Sequence, residues 1–113
     1  MRFRLTIGAC LVGAFWATGA AAQTPYAGGD ARAGEELALQ VCTACHVVAP
    51  DQREPRHYQG APDFVAIANG RAVTATSLAA FLRTPHPSMP NLILSSDEMR
   101  DVIAYILSLR GRE

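Results

Sequence analysis

Three groups packed into five residues, Cys42-Thr43-Ala44-Cys45-His46, constrain this chain more than its length or composition does. The two thiols stand three residues apart and an imidazole follows at once. A single pair this close cannot build a disulfide framework. A bare C-x-x-C works as a redox pair beside a βαβ pattern, and no such pattern is present. Zinc would require about two further Cys or His ligands with paired spacing, whereas His57 and His86 stand isolated. What remains is the attachment pattern of a c-type haem. Thiols at this spacing reach the two vinyl groups on one edge of a porphyrin, and the adjacent imidazole meets the iron from the same face. The motif predicts one haem c bonded to Cys42 and Cys45, with His46 on the iron.

The first residues belong to something else. Met1–Arg4 carries two arginines, Leu5–Ala22 is eighteen residues without a charge, and Ala20-Ala21-Ala22 precedes Gln23-Thr24-Pro25. A basic head, an apolar middle and a small-residue exit predict a secretory signal peptide over residues 1–22. Eighteen residues also sit at the lower limit for a retained anchor, but Gly8, Gly13, Thr18 and Gly19 dilute the run, and cleavage after Ala22 is the expectation. Cys10 falls within this segment and is read as filler. The remaining 91 residues hold eight arginines against ten acids, a formal charge of −2, and no lysine. That balance leaves no basic patch for nucleic acid and no polybasic membrane motif. So short a chain has a thin core and often depends on a staple such as a cofactor.

Residues 23–29 read as a flexible lead-in and residues 30–113 as one domain. Asp30 is the expected N-cap of a helix through Ala33, Leu37, Ala38 and Val41, which runs into the cysteine motif. Residues 47–61, with Pro50, Pro55 and Gly60, read as a loop. A short helix is expected from Pro62 through Phe64 and Ile67 to Asn69-Gly70, and another from Thr76 or Ser77 with Leu78, Phe81 and Leu82 on one face. Three prolines over Pro85–Pro90 exclude helix there. Ser95 and Glu98 form a capping-box pattern for a last helix whose apolar stripe is Met99, Val102, Ile103, Ile106 and Leu109 or Arg110. No segment alternates with a clean period of two. The fold class is all-α.

Four residues are candidates for the second axial ligand of the iron: Met89, Met99, His57 and His86. Met99 lies on an apolar helix stripe, where methionine is more often core filler. His57 sits in a polar loop close behind His46. Met89 is held between Pro87 and Pro90 in a non-helical loop, which fixes the backbone and leaves the thioether free. A soft sulfur favours ferrous iron and raises the potential, as suits a reversible carrier. Met89 is the expected ligand, and His86, which would give a lower-potential bis-histidine centre, is its rival.

With these residues in place, the chain resembles the class I cytochrome c family over residues 30–110. Gly34, eight residues before Cys42, is similar to the small residue at that family's first–last helix crossing. Asp101-Val102-Ile103-Ala104-Tyr105-Ile106 resembles its final helix, with Tyr105 packing over Gly34. Gly60-Ala61-Pro62 resembles the segment whose proline carbonyl accepts a bond from the ligand histidine, so the resemblance implies that Pro62 orients His46. Met89-Pro90-Asn91 is similar to the methionine-ligand loop. The implied fold is that of class I cytochromes c, three to five helices around one covalently bound haem. There are departures. Ala38 stands where many relatives have an aromatic. The only tryptophan, Trp16, is in the signal segment, leaving Arg56, His57, Tyr58 or Arg71 to substitute at a propionate. The lysine ring that mitochondrial relatives present to partners is absent.

The expected function is electron transfer by a periplasmic, monomeric, mono-haem protein acting with redox partner proteins as donor and acceptor. Phe64, Ile67, Phe81, Leu82 and Ile106 are expected to bury the haem. Two other readings are the cytochrome subunit of a periplasmic dehydrogenase or oxidase, and a haem sensor with an open sixth position. Nothing in the chain suggests an independent enzyme: there is no carboxylate pair, nucleophile triad or open metal site in view.

Overall fold

The computed structural model describes residues 26–55, 60–85 and 87–112. The signal segment expected over residues 1–22 lies outside the described residues. Among the latter are four α-helices, α1 Ala31–Gln40, α2 Phe64–Ala68, α3 Ala75–Arg83 and α4 Ser96–Ser108, a 3₁₀ turn over Cys42–Ala44, and no strand. Helix α4 packs against the other three, most extensively against α1.

Each helix begins where the local chemistry supplies its orphan amides with acceptors. The Asp30 carboxylate accepts from the amides of Arg32 and Ala33, and Ser95 and Glu98 exchange bonds in a full capping box. Helix α2 begins at Phe64 rather than Pro62, because the Asp63 carboxylate caps it by accepting from the Ala66 amide. Helix α3 begins at Ala75, one or two residues ahead of the expected start, because Thr74 and Ser77 form a reciprocal capping box. Ser77 is the third residue of that helix, not its opening one. Each such cap contributes typically about 1 kcal/mol.

The core is the stripe Met99, Val102, Ile103, Ile106 and Leu109 of α4, joined by Tyr105 and covered by Ala38, Val48, Phe64, Ala68, Leu78 and Ala79. Helices α1 and α4 meet at Gly34. A Cβ there would lie 2.0 Å from the Asp101 carbonyl oxygen and 2.9 Å from Tyr105 Cβ, so only glycine permits this approach. Gly29 is equally confined, with the Arg100 carbonyl oxygen 2.2 Å from the place of a Cβ. The Asp30 amide donates to the Asp101 carboxylate at 2.8 Å, locking the entrance of α1 onto α4. Of the expected lead-in, Tyr26 packs against the core with the Arg83 guanidinium 5.2 Å from its ring centroid. At the other end Arg110 donates to the carbonyls of Ala68 and Val73 at 3.0 and 2.7 Å. The Gly111 amide donates to the Asn69 side chain at 2.9 Å, so the tail of α4 closes over the end of α2.

Candidate functional site

Helix α1 is closed by its C-cap Val41, whose amide donates to the Leu37 carbonyl at 3.0 Å, and the chain tightens at once into the 3₁₀ turn. The Cys42 carbonyl accepts from the amides of both Cys45 and His46, at 3.0 and 2.9 Å. One carbonyl thereby gathers the whole motif into a single loop. Cys42 and Cys45 are both half-buried free thiols. Burial pushes the Cys42 thiol up to about 11, with a smaller contribution from the neighbouring Cys45, so Cys42 is protonated at neutral pH.

The His46 ring is tied on one side. Its Nδ1 lies 2.6 Å from the Pro62 carbonyl oxygen, and since a carbonyl only accepts, Nδ1 carries the proton. In the neutral ring the other nitrogen, Nε2, keeps its lone pair. Pro62 is presented by the turn that leads into α2, and that turn is pinned by the Phe64 amide donating to the Val47 carbonyl at 2.9 Å. Behind the imidazole the rings continue inward. Phe64 lies 5.3 Å from His46 between centroids and Tyr105 6.3 Å from Phe64. The Tyr105 hydroxyl donates to the Val48 carbonyl at 2.7 Å, coupling the motif loop to the α1–α4 crossing. Burial, followed by the nearby Glu35 carboxylate, raises the Tyr105 phenol to about 12.

Met89 is carried by a different loop, between α3 and α4, and is half-buried. It follows Ser88, whose φ of 76° is left-handed. Proline then a positive-φ residue is the pattern of a type II turn, usually completed by glycine. Met99 is 3% exposed and belongs to the core, as its place on the α4 stripe predicted. The rival ligands His57 and His86 lie outside the described residues, as do Arg56 and Tyr58; Arg71 is exposed. Of the side chains expected to bury the haem, Phe64 and Ile106 are buried, at 4% and 3% exposure. Ile67 and Leu82 are half-buried against the core. Phe81 is 54% exposed, as is 95% of Ile93, two large apolar residues on either side of the Met89 loop.

Sequence reasoning missed Gln52, whose side chain bonds to the motif loop from outside it. A glutamine in a polar loop gives no periodic or spacing signal. Nor did it anticipate that Thr43, between the cysteines, is 4% exposed.

The donor set fits a covalently held haem. Two half-buried thiols stand three residues apart in one tight turn, an imidazole follows them, and a thioether and apolar side chains stand on a second loop. Among the described residues no three His, Cys, Asp or Glu side chains cluster as a polydentate metal site would, and no helix is long and apolar enough to cross a membrane.

Comparison with known proteins agrees. The family model described as cytochrome c matches residues 31–110. Cytochrome c-552 of Bradyrhizobium diazoefficiens is 42% identical over 81 residues, which cover 72% of this chain and 76% of that one. No solved structure gives a significant match.

Proposed function

The chain belongs to the cytochrome c family, and from that premise we propose that it is a diffusible periplasmic shuttle whose iron is held between His46 and Met89. It is a mono-haem electron-transfer protein with covalently bound haem c, and it acts on redox partner proteins. When bound, the haem supplies a reversible one-electron iron couple.

The residues divide the remaining work. Cys42 and Cys45 anchor the cofactor through thioethers, so that it is not lost after export. His46 is the proximal ligand through Nε2. Pro62 holds the ring tautomer and orientation through Nδ1, as partners of ligand histidines do elsewhere. Met89 is the second ligand, presented by a turn that Pro87 and Ser88 shape, and its sulfur favours the ferrous state and a raised potential. Phe64 and Ile106 exclude water from the interior side. The N-terminal residues 1–22 direct export and are removed, leaving residues 30–113 as the cytochrome domain behind the short segment 23–29. The protein acts as a monomer and catalyses no reaction of its own.

The observation that carries the reading is the 2.6 Å contact between His46 Nδ1 and the Pro62 carbonyl oxygen, which frees Nε2 inside the C-x-x-C-H turn. Optical spectra of the oxidised protein beside Met89→Ala and His86→Ala test it. Loss of the far-red iron–sulfur charge-transfer band in the Met89 variant alone is expected. A band that survives in Met89→Ala overturns the ligand assignment.

A further inference from the structure

Six residues after His46, the Gln52 side chain folds back onto the motif. Its Oε1 accepts from the Val48 amide at 3.0 Å. Its Nε2 donates to Thr43 Oγ1 at 3.0 Å, to the Glu54 carbonyl at 2.8 Å and more weakly to the His46 carbonyl at 3.3 Å. The partners fix which end is which, since carbonyls only accept and an amide N–H only donates. The Gln52 main chain is itself held, its amide donating to the Ala49 carbonyl at 3.0 Å. One planar amide therefore ties the residue between the two cysteines to the histidine's own carbonyl and to the amide two residues beyond it.

We infer that Gln52 is a positioning residue for the iron-facing imidazole, fixing the main chain of His46 while Pro62 fixes its ring. The inference rests on His46 being the iron ligand. A ring held only at Nδ1 still pivots about that bond if its Cα is free to move. Bonds at Thr43, His46 and Val48 bracket that Cα and remove the freedom. Thr43 is buried, and its hydroxyl is satisfied by the Gln52 amide. The two restraints act on different parts of one residue, and the Gln52 bonds add to the one that the His46 amide makes to the Cys42 carbonyl.

The test uses the haem-loaded protein and the hyperfine-shifted haem-methyl resonances of its ferric state, whose order and spread follow the orientation of the axial ligands. Gln52→Leu, similar in size and without hydrogen bonds, is compared with Asn69→Ala, which cuts the distant α2 to C-terminus link. Gln52→Leu is expected to displace the methyl pattern and to raise Val48 amide exchange roughly tenfold, as loss of one part-buried hydrogen bond would. Asn69→Ala lowers the melting temperature and leaves the pattern in place. Thr43→Val, which removes one of the four bonds, displaces the pattern less and in the same sense, and serves if Gln52→Leu does not fold. A methyl pattern unmoved in every folded Gln52 or Thr43 variant overturns the inference alone. A wild type without a histidine-ligated low-spin spectrum overturns the proposed function, and the inference with it.

Discussion

Replacing Gly34 with alanine should be among the most damaging changes of one carbon in this protein. The added Cβ would stand 2.0 Å from the Asp101 carbonyl oxygen, 2.4 Å from its carbonyl carbon and 2.9 Å from Tyr105 Cβ. Carbon contacts settle at about 3.5–4.0 Å, so α1 and α4 must part by on the order of 1.5 Å. Backbone is the obstacle, and no rotamer change relieves it. Overpacking of this kind costs about 1–3 kcal/mol, and a rigid backbone clash belongs at the upper end. The separation also stretches the 2.7 Å bond from Tyr105 to the Val48 carbonyl, worth about 1 kcal/mol. The combined loss of about 4 kcal/mol corresponds to a fall in melting temperature of roughly 16–32 °C for a domain of this size. Far-UV circular dichroism of the haem-loaded Gly34→Ala protein measures it directly. A melt within about 2 °C of wild type would show that the helices do not meet as described.

Two further outcomes are expected. Ser88→Val places a β-branched side chain at a φ of 76°, and should cost about 1–3 kcal/mol and weaken the far-red iron–sulfur band, whereas Ser88→Gly should spare both; equal behaviour of the two variants in melts and spectra would remove the turn from the account. Tyr105→Phe should lose about 1 kcal/mol at neutral pH. The phenol's folded value of about 12 lies above its ordinary 10.0, so its contribution is fully present below pH 10.0 and fades as the pH rises toward about 12. Denaturant melts at a series of pH values check this, and a penalty that grows above pH 10.0 would contradict it.

Local rules wrote much of this fold plainly. Asp30, Ser95 and Glu98 cap where short polar side chains precede an apolar stripe, and that stripe named the α4 core. The motif at 42–46 named the cofactor because few other uses exist for its spacing. Legibility failed where a residue's role depends on backbone brought from elsewhere. Ser77 looked like a helix opening, yet its hydroxyl accepts from the Thr74 amide at 2.8 Å from inside the first turn. Pro62 looked like a first helical residue by local rules, and only the family resemblance pointed to its carbonyl facing His46. Gly29 read as slack chain, although its missing side chain is what lets Arg100 approach. Gln52 was invisible because three of its four partners are main-chain groups, and main-chain groups have no sequence signature. Ser88 occupies a conformation that ordinarily announces itself as glycine.

The intact mass of the exported protein, recorded after full denaturation, tests the central claim most directly. The account predicts a chain beginning at Gln23 and heavier by one haem, with that mass lost only when Cys42 and Cys45 are both replaced. An unmodified chain mass from a host that attaches haem normally, or pigment extracted by acidified organic solvent, would contradict it.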